Sequence, residues 1–441
     1  MTGPFRQEEY FLLRSEWLRF RNHLFDSATE LPALAAVLDD VRRLLEERGT
    51  LGLVYLDLAD AARLEALHGW QWYDETLRAF AGALLDLKAH DYLAPRDVVA
   101  MLSVRSDKFL LILGGSRPSS LEPGNLDPLV SRLRDRILET LEGRLPPGAP
   151  SPFVFHHGHA LLHRDPMLRA ERALYRALDE AMHMSQRQRS RDEDLSTRSL
   201  DALIHGEQIV TQYQPIVRLA DMMVLGHEVF SRGAAGGAFE DPDRLFALAG
   251  RTGRLIALER LCRRRAVLTA RVHLKPGGKL FVNTSAPALR DAELMGDAFH
   301  RQLAANSMSP ADVVFEVTER VAVEERLPYR ETLRALKAHG FGIAIDDMGA
   351  GYASLQSLVE LEPDYLKFDI ALVRNIHRSL IKRSLLETLV ELSQKIGASV
   401  IAEGIEAASE LATLREMGVP LGQGRHLAPP RAVPLEAQAL P

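Results

Sequence analysis

GIAIDD, residues 342–347, is a short apolar run that ends in two carboxylates. Runs of this kind recur on both sides of it. Upstream lie Tyr213–Val217, Val224–Phe230, Leu280–Asn283 and Val313–Val317; downstream lie Tyr365–Phe368, Ser399–Ala402 and a fainter run near Leu421–Gly424. Each reads as a strand followed by a helical segment, which suggests parallel βα units. Seven or eight such units in about 245 residues suit a closed (β/α)8 barrel. An open doubly wound sheet is the alternative; no Gly-rich nucleotide fingerprint accompanies the repeats, which argues against it.

The residues at the carboxyl ends of these runs form a pattern. They are Glu228, Asn283, Glu316 with Glu319, Asp346 with Asp347, Lys367 with Asp369, Glu403 with Glu406, and Gln423. In a barrel these positions face one rim, where barrel active sites are built. A single polar residue at a strand end is commonplace. A whole rim of them is not, because two carboxylates about 4 Å apart at an effective dielectric near 20 repel by about 4 kcal/mol. Hard divalent cations with oxygen ligands offset such repulsion: Mg²⁺ or Mn²⁺, or Ca²⁺. Paired acids beside a lysine fit two-metal hydrolysis of a phosphodiester.

The rest of the 441 residues sets the frame. With 54 basic and 60 acidic side chains the formal charge is 54 − 60 = −6, which argues against a dedicated nucleic-acid binder or a coat for anionic membranes. A 46% apolar and 26% charged composition is too apolar for disorder. Cys262 is the single cysteine, so no intrachain disulfide or thiolate cluster forms, in keeping with a reducing, cytoplasmic setting. The first residues carry no signal-peptide pattern, and no run approaches the roughly 18 apolar residues of a membrane span. Residues 5 to about 48 carry helical spacing. Leu51–Leu58 (LGLVYLDL) reads as a buried strand with Asp57 near its end, Phe109–Leu113 and Phe153–Phe155 as further strands, and Glu171–Arg191 as a long charged helix. That helix runs into the polar stretch QRQRSRDEDLST, a candidate domain boundary. We expect an N-terminal helix over 1–25, an α/β domain over 26–190, the barrel over 191–435 and a tail over 436–441.

The barrel half resembles the EAL-domain phosphodiesterases of bacterial cyclic-di-GMP signalling. The likeness runs through YQPIV (213–217), GHEVFSR (226–232), FVNTS (281–285), FEVTE (315–319), AIDDMGAGYASL (344–355), DYLKFD (364–369), VIAEGIE (400–406) and GQG (422–424). It implies that Glu228, Asn283, Glu316, Asp346, Asp347 and Glu403 hold two divalent cations, with Glu228 and Glu403 among the catalytic groups. It implies that Lys367 orients or deprotonates the attacking water. Arg232 would pair with a substrate phosphate, and Gln423 would contact the substrate or a water on the metal, with Gln214 and Asp369 beside the substrate. Glu319 and Glu406 would support the loop after the fifth strand, which contains Gly349. The implied reaction opens cyclic-di-GMP to linear pGpG, and the implied assembly is a homodimer. Some neighbours depart from the family pattern: Val229-Phe230 after Glu228, Gly233 where tryptophan is frequent, Gly250 for a glutamate, and Arg425-His426 where aromatics are usual. A barrel that binds the dinucleotide without cutting it is therefore the alternative.

Residues 26–190 resemble the GGDEF diguanylate cyclase fold, from DSATELPAL (26–34) through Leu56-Asp57-Leu58 to the closing helix Glu171–Gln188. The signature hairpin reads Arg105-Ser106-Asp107-Lys108-Phe109, with Arg and Ser in place of two glycines and Lys108 in place of an acid. This implies lost cyclase activity. Asp57 and Asp107 are kept, so a residual GTP and Mg²⁺ site is one expectation, and a scaffold or a surface for a signalling protein partner is another. Two further features read as bland: His156-His157 with His159 as partly exposed alternation on a strand, and Arg263-Arg264-Arg265 as a solvated helix face.

Overall fold

The computed structural model describes residues 20–58, 65, 69–114, 123–147, 149, 153–274, 277–318, 328–348 and 361–435. It divides into two compact units, Met1–Leu195 and Ser196–Pro441.

The first unit is built on β1 (Thr50–Leu58), whose residues are almost all buried. Alternation sends Val54, Leu56 and Leu58 to one face and Leu51, Leu53 and Tyr55 to the other. The first face packs on α2 (Trp70–Ala89) and α3 (Pro123–Leu141) through Phe80, Leu84, Val130 and Ile137. The second packs on α1 (Leu34–Arg48) and the start of α4 (Ala170–His205) through Val37, Val41, Leu174 and Leu178. With β2 (Val98–Met101), β3 (Lys108–Leu113) and β4 (Phe155–His163), the sheet order is β2-β3-β1-β4, antiparallel throughout.

Three readings change here. The helical stretch expected over 5–48 is broken at 25–33. The Asp26 carboxylate accepts the N–H groups of Ala28 and Thr29, an Asx-type turn, and Phe25 bridges to Pro32 before α1 begins. The short edge strand β2 was not foreseen. The polar stretch after residue 185 is helical, because no Gly or Pro lies between Ala170 and His205; its polarity marks exposure, and the division between units falls inside α4.

The second unit is a closed barrel of eight strands: β5 (Val210–Arg218), β6 (Val224–Arg232), β7 (Lys279–Asn283), β8 (Val313–Thr318), β9 (Gly342–Met348), β10 (Tyr365–Phe368), β11 (Ser399–Ala402) and β12 (Leu421–Gly422). These match the eight runs. The first is no βα unit, however. β5 runs antiparallel to both neighbours, and a hairpin joins it to β6. Asp221 makes that turn by accepting the Met223 N–H and pairing with Arg218 at 2.9 Å, while Met222 takes a left-handed φ of 59°. α5 (Pro242–Arg251), α6 (Leu255–His273), α7 (Asp297–Ala305), α8 (Pro328–Ala338), α9 (Leu380–Ile396) and α10 (Ala408–Glu416) lie among the later strands. The outward strand residues Leu280, Phe315, Ile343 and Val400 pack with helix residues such as Leu333 and Leu386 in the main core. Among the described residues no helix is long and apolar enough to cross a membrane.

Candidate active site

The inner core of the barrel consists of Ile216, Phe281, Val314, Ala344, Ile401 and Leu421, with Tyr365 packed against it. This is an apolar floor. A strand repeats its facing every two residues, so the next inward residue sits one layer above. Two beyond Phe281 is Asn283, beyond Val314 is Glu316, beyond Ala344 is Asp346, beyond Tyr365 is Lys367, beyond Ile401 is Glu403 and beyond Leu421 is Gln423. On the reversed strand β5 the step runs backwards, from Ile216 to Gln214. The polar layer is therefore fixed by the same alternation that builds the floor.

Lys367 stands at its centre and is fully buried. Its Nζ lies 2.7 Å from Glu403 Oε1, 2.8 Å from Glu316 Oε1, 3.2 Å from Glu228 Oε2 and 3.4 Å from Asp346 Oδ1. Burial works to strip its proton, but these four carboxylates win and hold it well above the usual lysine range. The acids respond unequally. For Glu228, burial is outweighed by Lys367 and by two amides, so its pKa falls: Gln423 Nε2 donates to Oε2 at 2.7 Å and Asn283 Nδ2 donates to Oε1 at 3.0 Å. Glu316 is raised well above the carboxylate range by burial and by the charge of Glu228. Burial, then Asp346 and Glu228, push Glu403 up to about 8 against the pull of Lys367. Asp347 lies near the end of β9 with φ 58°; its rim is open to solvent, but the partial desolvation of its carboxyl, then the charge of Asp346, raise its pKa.

A second relay supports Glu228. Gln423 Nε2 also donates to Gln214 Oε1 at 3.0 Å, and Gln214 Nε2 donates to the Ala428 carbonyl at 3.1 Å. Asp369 caps the short helix Ile370–Val373 by accepting the Ala371 N–H at 2.7 Å. Glu406 pairs with Arg374 on the rim at 2.6 Å. Arg232 ends β6, 3.6 Å from Glu240. Glu319 and Gly349 lie outside the described residues.

Among the described residues no three His, Cys, Asp or Glu side chains stand ready as a metal cage; the Lys367 ammonium fills their midst. The donor set nonetheless fits a hard cation. With all four carboxylates around Lys367 ionised, as a bound cation would make them, the formal charge is 1 − 4 = −3. Glu316 Oε2 is buried and accepts no hydrogen bond among the described residues, while its Oε1 faces the Lys367 ammonium at 2.8 Å; Gln423 Oε1 is likewise buried without a donor. Oxygen-only donors of this kind suit Mg²⁺ or Mn²⁺.

Sequence reasoning missed several supports. Glu410 is buried and binds two loops: Oε1 accepts the Asn375 N–H at 2.8 Å, and Oε2 accepts those of Glu406 and Ala407 at 2.9 and 3.0 Å. Its place three residues after Ala407, as a helix starts, was the available signal. Arg263 is no part of a solvated face. It is 3% exposed and pairs with Asp291 at 3.1 Å and Glu259 at 3.6 Å, and both Glu259 oxygens accept the Ser285 N–H beside Asn283 at 3.3 Å. His156 is buried as well; only His157 and His159 are partly exposed.

In the first unit, Asp57 and Asp107 share one neighbourhood. Burial raises the Asp57 pKa, and Asp107 adds to it. Lys108 is the cross-strand partner of Asp57, and its Nζ lies 3.9 Å from Asp107. Arg105 takes the left-handed φ of 59° where a glycine was expected, and its N–H donates to Asp26 Oδ2 at 3.0 Å.

A family model described as EAL domain matches residues 197–430. The chain is 24% identical over 428 residues to the bifunctional diguanylate cyclase/cyclic di-GMP phosphodiesterase MucR of Pseudomonas aeruginosa, a match covering 92% of this chain and 60% of that protein. It is 26% identical over 420 residues to the cyclic di-GMP phosphodiesterase PdeR of Escherichia coli, covering 92% and 61%. The chain thus spans less than two thirds of the length of either relative. Among solved structures, the Xanthomonas citri FimX EAL domain in complex with c-diGMP has a TM-score of 0.51 at 20% identity, covering 55% of this chain and 96% of that one; this is a likeness of fold. Because the family model spans more than half of the 441 residues and falls on the barrel, the chain belongs to the EAL domain family.

Proposed function

We propose that the barrel hydrolyses cyclic-di-GMP to linear pGpG with two divalent cations, Mg²⁺ or Mn²⁺. One observation carries the reading: a buried lysine within 3.4 Å of four carboxylates, at the mouth of a barrel whose relatives are named cyclic di-GMP phosphodiesterases. Glu228, Asn283, Glu316, Asp346, Asp347 and Glu403 would hold the cations, which supply charge neutralisation and a more acidic attacking water. Lys367 orients that water and stabilises charge as the P–O bond breaks. Arg232 pairs its planar fork with a phosphate. Gln423, tied to Gln214, holds Glu228 in place and turns its free Oε1 toward the substrate, with Asp369 at the rim. Glu403 would act through the cation it helps to hold, 2.7 Å from the Lys367 ammonium.

The first unit has a regulatory or dimerising role without cyclase chemistry. Arg105 and Lys108 support this, since Arg105 stands in place of a glycine and Lys108 sets a positive charge 3.9 Å from Asp107 and across the strand from Asp57, where a metal would need an acid. GTP is a candidate regulator there, a signalling protein a candidate partner, the homodimer the expected assembly and the cytoplasm the expected location.

The second reading is a receptor that binds cyclic-di-GMP without cutting it. The absence of a ready metal cage among the described residues favours it. Incubation of the full chain with cyclic-di-GMP and Mn²⁺ separates the two. Hydrolysis predicts pGpG from the wild type and at least ~10³-fold less from Glu228→Ala. Binding with intact ligand under Mg²⁺ and Mn²⁺ would establish the receptor instead.

A further inference from the structure

We propose that Glu240 is an affinity-setting residue: an internal carboxylate that competes with the substrate phosphate for Arg232 and so sets how weakly the resting mouth holds anions. This rests on the reading above that Arg232 meets a phosphate.

Arg232 lies four residues after Glu228 on β6, so alternation puts both on the face lining the mouth. Its Nε is buried and has no hydrogen-bond partner among the described residues. Its Nη1 lies 3.6 Å from Glu240 Oε1. The guanidinium thus keeps an unused donor while its charge is offset by a neighbour in the same chain.

Glu240 reaches this position because the connection from β6 to α5 folds back on itself. The Gly233 N–H donates to the Phe239 carbonyl at 2.7 Å, and the Gly236 N–H donates to Glu240 Oε2 at 2.8 Å. A Cβ at residue 233 would lie 2.6 Å from the Phe239 carbonyl oxygen, closer than real contacts allow. The loop therefore closes only over a glycine, and that glycine is one of the departures from the family pattern. The absence of a side chain at 233 is thus what lets the loop bring Glu240 beside Arg232. The nearby acids do not share the role: Asp241 caps α5 by accepting the Asp243 N–H at 3.0 Å, and Asp243 lies exposed in its first turn.

An exposed ion pair of this kind opposes a competing anion modestly, so its removal should tighten binding about three- to fivefold. Glu240→Gln keeps an amide oxygen to accept the Gly236 N–H, so the loop is retained. The test is calorimetric titration of the full chain with cyclic-di-GMP in EDTA, together with Michaelis kinetics in Mn²⁺, for wild type, Glu240→Gln and Asp243→Asn. The expected result is a Kd and KM about three- to fivefold lower for Glu240→Gln with kcat within twofold, and no change for Asp243→Asn, which removes the same charge nearby. Unchanged or weaker binding by Glu240→Gln overturns the assignment, as does an equal gain in both variants, which would mark a general charge effect. A wild type that neither binds nor cleaves overturns the proposed function itself, and this assignment with it.

Discussion

Lys367→Met tests the ion cluster most directly. Methionine is unbranched and apolar, and fills most of the volume while removing the charge. At an effective dielectric near 20, contacts of 2.7, 2.8, 3.2 and 3.4 Å correspond to attractions of about 6, 6, 5 and 5 kcal/mol. Most of this gross attraction is offset by burying the ammonium and by the acids repelling one another. What survives in measured cases, when one partner of a buried cluster is removed and the others stay, is a loss of about 3–5 kcal/mol. For a unit of this size that lowers the melting temperature by about 6–20 °C. Calorimetry in metal-free buffer is the suitable assay, since Trp17, Trp70 and Trp72 all precede the barrel, which has no tryptophan of its own. Added Mn²⁺ should stabilise the variant more than the wild type, because doubly charged ions then supply the missing positive charge. Turnover should fall at least ~100-fold. A melting shift under about 2 °C without metal would refute the reasoning: the acids would then be neutral or turned apart, and no counter-charge would be required of Lys367.

Two other perturbations probe the framework. Burial, with Arg134 and the neighbouring histidines, pushes the His157 pKa down to about 4 from its usual 6.5. The unfolded chain therefore takes up its proton first, and stability present above about pH 6.5 is lost as pH falls toward 4, by at most about 3 kcal/mol. His157→Gln should flatten the melting temperature of the first unit between those limits; an unchanged pH slope counts against the assignment. Gly424→Ala would set a Cβ 2.2 Å from the Ile405 carbonyl oxygen and 2.3 Å from its nitrogen. Ile405 N–H donates to the Gln423 carbonyl at 3.0 Å, so the clash moves Gln423. The expected outcome is kcat down at least ~10-fold with a stability loss of about 1–3 kcal/mol, checked by kinetics and urea melts.

The polar layer was legible because strand alternation is a local property. A two-residue step from an apolar run marks Asn283, Glu316, Asp346, Lys367 and Glu403 whichever way the barrel closes. Partnerships set by distant chain were not legible. Glu259 and Arg263 sit one helical turn apart in ALERLCRRR and look like any charged pair; only the arrival of Asp291 and the Ser285 amide makes them a buried cluster. The antiparallel entry of β5 was hidden for the same reason. LADMM (219–223) carries no Gly or Pro, and the turn is made by the Asp221 side chain and a left-handed Met222. The polar stretch 186–197 does hold the division between the two units, but the absence of Gly and Pro lets helix α4 run on through it.

Alternation also sorts the departures around the signature glutamate. Val229 points away from Glu228, into the main core between sheet and helices, where it is 6% exposed among Leu280, Ala266 and Leu289. Its identity bears on helix packing and cannot reach a bound dinucleotide. Phe230 shares its face with Glu228 and Arg232, half-buried at the mouth. Of the two changed neighbours it alone faces the mouth. The altered tripeptide is therefore no sign that the acid cluster has decayed. Glu228 keeps its two amide donors and its lysine, and the chemistry at the mouth depends on those contacts.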